Sequence, residues 1–482
     1  MAPCKRLTTL SAIVLAAVLA ATSTPVQALA QVQVQPLAAP DLFSTPAAQT
    51  DLTGDLWKDA SPGVAKEALP KLATKPLSPA ATGLARRVLA TGANAPPGIG
   101  DDPELGAMRA LALIALGEAK GADAMLDRAP GVAGSAPLSL AAAEAALISG
   151  ADDKACKIGE ALTVDRGGPY WLRLRAFCQA LAGEKAAAQL TLSLAQGQDA
   201  DYARLMSALL SGAPAGPANL ANGINYALSR KLGLDVGSAA AVASASPALK
   251  AMLKPADAAA PTDPAAAQAQ VLAALRGAKG LVAFTDAAKA AQPAVAALAQ
   301  GAAPLEDPVP LARAALAAGD LATAQAIRGK LTGDTIPGAT TLDLALLDAT
   351  LAAAEGKKDS QILDGLIERG VQGGVKSPAQ AAALILAAFG GPMSPEARAS
   401  FAIFDPGKSA APAGRLIVLD AAAAAGRQGE AALLALSIAA DAGPAGPGPV
   451  DRARLVRALL KAGLEADARA FAVEGLLALQ LK

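Results

Sequence analysis

The sequence predicts an all-α protein, a solenoid of antiparallel helix pairs. Three observations lead there. Roughly a quarter of the 482 residues are alanine, the best helix former because it loses no side-chain entropy in a helix. The β-branched and aromatic residues that favour strands are thin, with only 2% aromatic. Glycines recur at the spacing of a helix pair: 33 residues separate Gly117 from Gly150 and Gly150 from Gly183, and 37 separate Gly319 from Gly356 and Gly426 from Gly463. The chain is 53% hydrophobic, yet alanine buries little area beside leucine or phenylalanine. Thin layers of closely approaching helices suit this composition better than one deep core.

Taken in order, residues 1–30 read as a secretory signal. Lys5 and Arg6 precede an apolar stretch from Leu10 to Leu19, and Ala28-Leu29-Ala30 supplies a small-residue cleavage site before Gln31. Cys4 lies before the apolar stretch and so is not placed to carry a lipid anchor. No later run reaches the ~18 apolar residues of a membrane helix. The expected location is therefore periplasmic or secreted, an oxidising compartment, with no transmembrane segment after cleavage. Residues 31–75 are Gln-, Pro- and Thr-rich at their start and are expected to form an extended tether. Within it, Trp57 with Leu52 and Leu56 either docks the tether onto the body or stands half-exposed in a short helix.

A first helical array is expected over 76–254, an irregular joint over 255–307 and a second array over 308–482. The preferred boundary is Lys254 to Pro264, followed by a charge-poor helix whose Val271, Leu272 and Leu275 pack inward. The array turns share one pattern. Gly117, Gly150, Gly183, Gly319, Gly356, Gly426 and Gly463 each follow a Leu/Ala-rich segment, and in six of the seven cases alanine stands five residues later, at Ala122, Ala155, Ala188, Ala324, Ala431 and Ala468. Glycine can adopt the left-handed conformation that ends one helix, an acidic residue often follows to cap the next, and alanine lets two backbones approach.

In this the pattern resembles the tetratricopeptide repeat, whose inter-helix turn has a Gly-Asp/Glu-x-x-x-Ala form and whose period is about 34 residues. Gly183-Glu184 with Ala188 and Gly319-Asp320 with Ala324 match best. The resemblance covers roughly 103–212 and 308–478 and departs by lacking a regular first-helix aromatic and a terminal proline. It implies a right-handed superhelix with a concave binding surface.

Cys156 and Cys178 flank the turn Asp165-Arg166-Gly167-Gly168-Pro169, each eleven residues from Gly167. In a helical hairpin they sit at similar height, which predicts a disulfide worth ~3 kcal/mol; the alternative is two small buried hydrophobes facing different neighbours. Tyr170, Trp171 and Phe177 form the densest aromatic patch. Either it fills the core beside the cysteines or it stacks on a sugar or peptide, with Arg173 and Arg175 turned outward to solvent or acidic groups. Tyr170, Trp171, Arg173 and Arg175 are thus the candidate binding surface.

The chain contains no histidine, so Ser-His-Asp and Cys-His pairs and imidazole metal ligands are excluded. Forty-two basic residues balance forty-two acidic ones, which argues against an electrostatic nucleic-acid binder. Residues 370–377 carry Lys376 and Ser377 of a phosphate loop but place Val375 where glycine is required, and Ser377-Pro378 reads as a helix start. Asp101-Asp102 and Asp152-Asp153 also lie at helix starts, where interaction with the helix dipole accounts for them. The expected protein is non-enzymatic and cofactor-free, a scaffold or assembly factor for envelope proteins. A module that binds peptidoglycan or another carbohydrate is the alternative, and a hydrolase using paired carboxylates a remote one.

Overall fold

The computed structural model describes residues 41–195, 199–253, 263–331 and 338–481. The expected signal segment, its expected cleavage point at Ala30 and Gln31, and residues 31–40 of the expected tether lie outside these residues, as does most of the Lys254–Pro264 boundary. Among the described residues the secondary structure is entirely helical, and residues from Asp41 on belong to one compact unit.

The helices in chain order begin with α1 Pro62–Thr74, α2 Pro79–Ala90, α3 Pro103–Ala115, α4 Ala119–Leu126, α5 Ala136–Ile148 and α6 Asp152–Ala161. Then come α7 Pro169–Leu181, α8 Lys185–Ala195, α9 Ala200–Ser211, α10 Gly223–Lys231, α11 Ala239–Ser244 and α12 Pro247–Met252. The middle of the chain forms α13 Pro264–Gly277, α14 Gly280–Gln300, α15 Pro308–Ala318, α16 Leu321–Gly329, α17 Thr341–Glu355 and α18 Ser360–Gly373. The last are α19 Pro378–Ala387, α20 Pro395–Phe401, α21 Ala413–Ala424, α22 Gln428–Ala442, α23 Pro449–Lys461 and α24 Glu465–Ala478.

Many starts follow one rule. Proline stands in the first turn, where its missing N–H is not needed, and the preceding residue often accepts from the exposed amides. Asp102 accepts from the Glu104 and Leu105 amides, Ser135 from Leu138, and Ser377 from Gln380. The seven turn glycines singled out by the sequence pattern take the left-handed conformation, with φ between 69° and 89° at each. The alanines five residues on are each wholly buried. Successive helices α3–α4, α5–α6, α7–α8, α15–α16 and α23–α24 pack as hairpins around them.

Residues 41–75, expected as tether, are instead packed structure from Asp41 onward. Leu42, Phe43, Leu56 and Trp57 are buried, and α1 lies between α3 and α22. The physical cause is Arg109 of α3, wholly buried, whose guanidinium donates to the carbonyls of Leu42 (2.8 Å), Leu89 (2.9 Å), Thr91 (3.0 Å) and Thr45 (3.1 Å). Its cation also sits 5.6 Å from the Phe43 ring centroid, and Phe43 meets Trp57 edge to face. Trp57 docks on α22 at Gly429, whose amide donates to the Leu56 carbonyl at 2.9 Å.

The expected joint 255–307 also differs. Its described part is two regular helices, α13 and the 21-residue α14, with Val271, Leu272 and Leu275 buried as expected. Order in space departs from order along the chain. Helices α1, α3 and α5 pack side by side, as do α14, α15 and α17, while α22 and α24 sit between these rows, α22 against α1 and α2, α24 against α2 and α17. Helix α22 is buried on every side from Gly429 to Ala440. Arg452 and Glu474 form an ion pair at 2.6 Å in this centre, and the Ala80 amide at the start of α2 donates to the same Glu474 carboxylate at 2.6 Å.

Candidate functional site

The Cys156 and Cys178 sulfurs stand at bonding distance, 2.01 Å, with Cα atoms 5.6 Å apart, so the pair joins α6 to α7. Helix α7 begins after Gly168 and presents Tyr170 and Arg173 to a cavity of about 290 Å³. Leu111 of α3, Leu140 and Glu144 of α5, Asp199, and Asn222, Ile224 and Asn225 at the start of α10 complete its lining.

The polar groups are ordered by one another. Tyr170 donates its hydroxyl to Glu144 Oε1 at 2.9 Å, and the Gly223 amide donates to Glu144 Oε2 at 2.9 Å. A Cβ at Gly223 would fall 2.9 Å from that oxygen and 3.0 Å from Leu147, so only glycine allows this approach. Burial pushes the Glu144 carboxyl above the ordinary glutamate value, partly offset by these two hydrogen bonds. Burial, then the adjacent Glu144 charge, pushes the Tyr170 hydroxyl well above the usual tyrosine range and keeps it a donor.

Asp199 caps α9 by accepting from the Tyr202 amide at 3.0 Å, and faces Arg173 at 3.6 Å. The Arg173 cation lies 5.6 Å from the Tyr202 ring centroid, and Tyr202 returns a hydrogen bond to the Arg173 carbonyl at 2.9 Å. Asn225, 1% exposed, donates its Nδ2 to Asn219 Oδ1 at 3.1 Å and to Asp199 Oδ2 at 3.5 Å. These contacts fix the amide's orientation and leave its Oδ1 without a partner among the described residues; Arg173 Nε is likewise unpartnered.

Of the candidate surface residues, Tyr170 and Arg173 therefore meet in the cavity and the other two do not. Trp171 is core: 6% exposed, packed beside Gly159 and Leu174. A stacking face for sugar is thus absent at Trp171, because the helical turn that points Tyr170 at Glu144 points its neighbour inward. Arg175 lies outside the cavity and donates to the Arg166 carbonyl at 3.2 Å. Glu144, Asp199, Asn222 and Asn225 were not singled out by sequence. Glu144 carried a usable signal, as the lone charge in the apolar helix APLSLAAAEAALI.

A second, more open cavity of about 530 Å³ gathers Asp41, Asp101 and Asp102. Asp102 caps α3, and Asp41 accepts from the amides of Phe43 (2.8 Å), Ser44 (2.6 Å) and Ala95 (3.2 Å). Among the described residues, no group of three or more such side chains is arranged to hold a metal ion. Asp152 stands in the first turn of α6, as expected, but its carboxylate pairs with Arg230 at 2.7 Å and Lys231 at 3.6 Å instead of capping the helix. Among the described residues no helix is long and apolar enough to cross a membrane. No protein-family model, curated protein or solved structure matches the chain.

Proposed function

We propose that the protein is a non-enzymatic, exported helical-repeat scaffold or assembly factor, related in design to tetratricopeptide-type superhelices, that binds envelope proteins. The observation that carries this reading is the recurrent turn: left-handed glycine, then a wholly buried alanine five residues later, repeated through both halves of the chain. Stacked hairpins of this kind form extended surfaces whose binding needs no reactive side chain. The sequence pattern at residues 1–30 supports export, and the cysteine pair suits an oxidising compartment.

Crosslinking and affinity capture from envelope extract, with the tagged full chain, tests the reading. It expects a reproducible protein partner that surface substitutions on the hairpin rows remove. Capture that returns no reproducible partner overturns it. The polar cavity at Tyr170 supports a second reading, a peptidoglycan-binding module; for that, purified sacculi should retain the protein and lose it on Arg173→Ala.

A further inference from the structure

We propose that the cavity between α5, α7 and the start of α10 binds the primary ammonium group of a peptide. The inference rests on the binding-scaffold reading and names what one part of that scaffold recognises. Two carboxylates, Glu144 and Asp199, and one guanidinium, Arg173, line the cavity, so its formal charge is −1. Arg173 is already turned to Asp199. Among the described residues Glu144 has no cationic partner: its two hydrogen bonds come from a tyrosine hydroxyl and a backbone amide.

An ammonium carries three N–H donors and no acceptor. The cavity supplies acceptors of the matching kind, the Glu144 and Asp199 carboxylates. Leu111, Leu140 and Ile224 supply apolar wall for an alkyl stem. A cavity of about 290 Å³ is at the lower limit of ligand pockets, which suits a side chain or chain terminus better than a disaccharide. A neutral sugar would leave the Glu144 charge uncompensated, and the aromatic face it would need is buried at Trp171.

The test is calorimetric titration of the full chain with four probes: N-acetyl-lysine methylamide, alanine methylamide, N-acetyl-glutamine methylamide and N-acetylglucosamine. Saturable one-site binding of the lysine probe identifies a side-chain ammonium, and of the alanine probe an amino terminus; either is the expected result. Glu144→Gln should then weaken binding about tenfold or more, as loss of a charged hydrogen-bond partner does. Asp199→Asn, which removes the second carboxylate but keeps an oxygen to cap α9, should also weaken binding about tenfold, and serves if Glu144→Gln fails to fold by circular dichroism. Equal or better binding of the glutamine or sugar probe overturns the proposal. So does an absence of saturable binding by both ammonium probes, or undiminished binding by a folded Glu144→Gln or Asp199→Asn variant. Partner capture by the wild type with no ammonium binding would overturn this assignment and leave the scaffold reading standing. Ammonium binding without any protein partner would do the reverse.

Discussion

Arg109 organises the first described residues of the chain because its guanidinium has nowhere else to hydrogen-bond. Burial lowers its pKa to about 10, still charged at neutral pH, and four backbone carbonyls answer that charge. Arg109→Met should destabilise the protein by about 3 kcal/mol or more, since each buried carbonyl left without a donor costs about 1–3 kcal/mol. Urea unfolding measures the loss, and limited proteolysis should cut first within residues 41–60. Gly429 makes the complementary point. Its Cα faces the Leu56 carbonyl and the Trp57 ring, where a methyl group has no room. Gly429→Ala should cost about 1–3 kcal/mol by overpacking, visible as a lower urea midpoint with an unchanged slope.

At the scale of elements, the same residue type has opposite effects in two places. Gly183 ends α7 with φ 80°, which a side chain adopts only with strain. Gly83 sits exposed inside α2, and a Cβ there meets nothing. Gly183→Ala should therefore destabilise by about 1–2 kcal/mol, and Gly83→Ala should stabilise by about 0.5–1 kcal/mol; thermal unfolding of the two variants separates them. A charged clasp joins α1 to α21 and α22. Asp441 accepts from Lys75 (2.6 Å), Arg415 (2.6 Å) and Lys71 (3.0 Å), and Glu67 accepts from Arg415 and Ser437, each at 2.9 Å. Burial alone would raise the Asp441 carboxyl, but these donors more than offset it and hold it below the ordinary value of 3.8. A depressed carboxyl contributes stability that is fully present above its unfolded pKa and is lost as pH falls toward the folded one. Stability should thus decline on acidification from about pH 4 to about pH 2, and Asp441→Asn should flatten that decline in denaturant titrations.

The elements were legible where local chemistry decides them. Turn glycines, the inward alanines, the Ser377 cap and the hairpin symmetry of Cys156 and Cys178 all follow from backbone conformation and spacing within some 40 residues. What was not legible depends on partners far away in the chain. Nothing near Trp57 announces that Gly429 will receive it, and the Gln- and Pro-rich start of the 31–75 stretch gives it the look of a tether although Arg109 anchors it at Leu42 and Thr45. The cavity failed for the same reason: Glu144, Asp199 and Asn225 come from three separate helical regions, each with a sufficient local explanation. Trp171 was ambiguous because an aromatic at a helix start serves either face equally well until its neighbours are known.

For the molecule as a whole, the cysteine pair and the central position of α22 make separate demands. In denaturant without reductant, Cys156 and Cys178 should not react with thiol reagents, and reducing them should lower stability by about 3 kcal/mol through the freed loop; two reactive thiols in the oxidised protein would contradict the pairing. Helix α22 touches α1 and α2 as well as α21 and α23. Hydrogen exchange should accordingly show α1 and α22 opening together with one free energy, despite more than 350 residues between them in sequence.

That central placement also bears on how the chain is made. Contacts between the first and last described helices give the protein a long-range topology, in which loop closure precedes any gain from burial and folding is slow. As synthesis proceeds from the amino terminus, Leu56 and Trp57 emerge hundreds of residues before Gly429 of α22 can cover them. The unfinished chain therefore carries an uncovered apolar face until α22 is made, a surface for holding chaperones that disappears only when the final helices arrive.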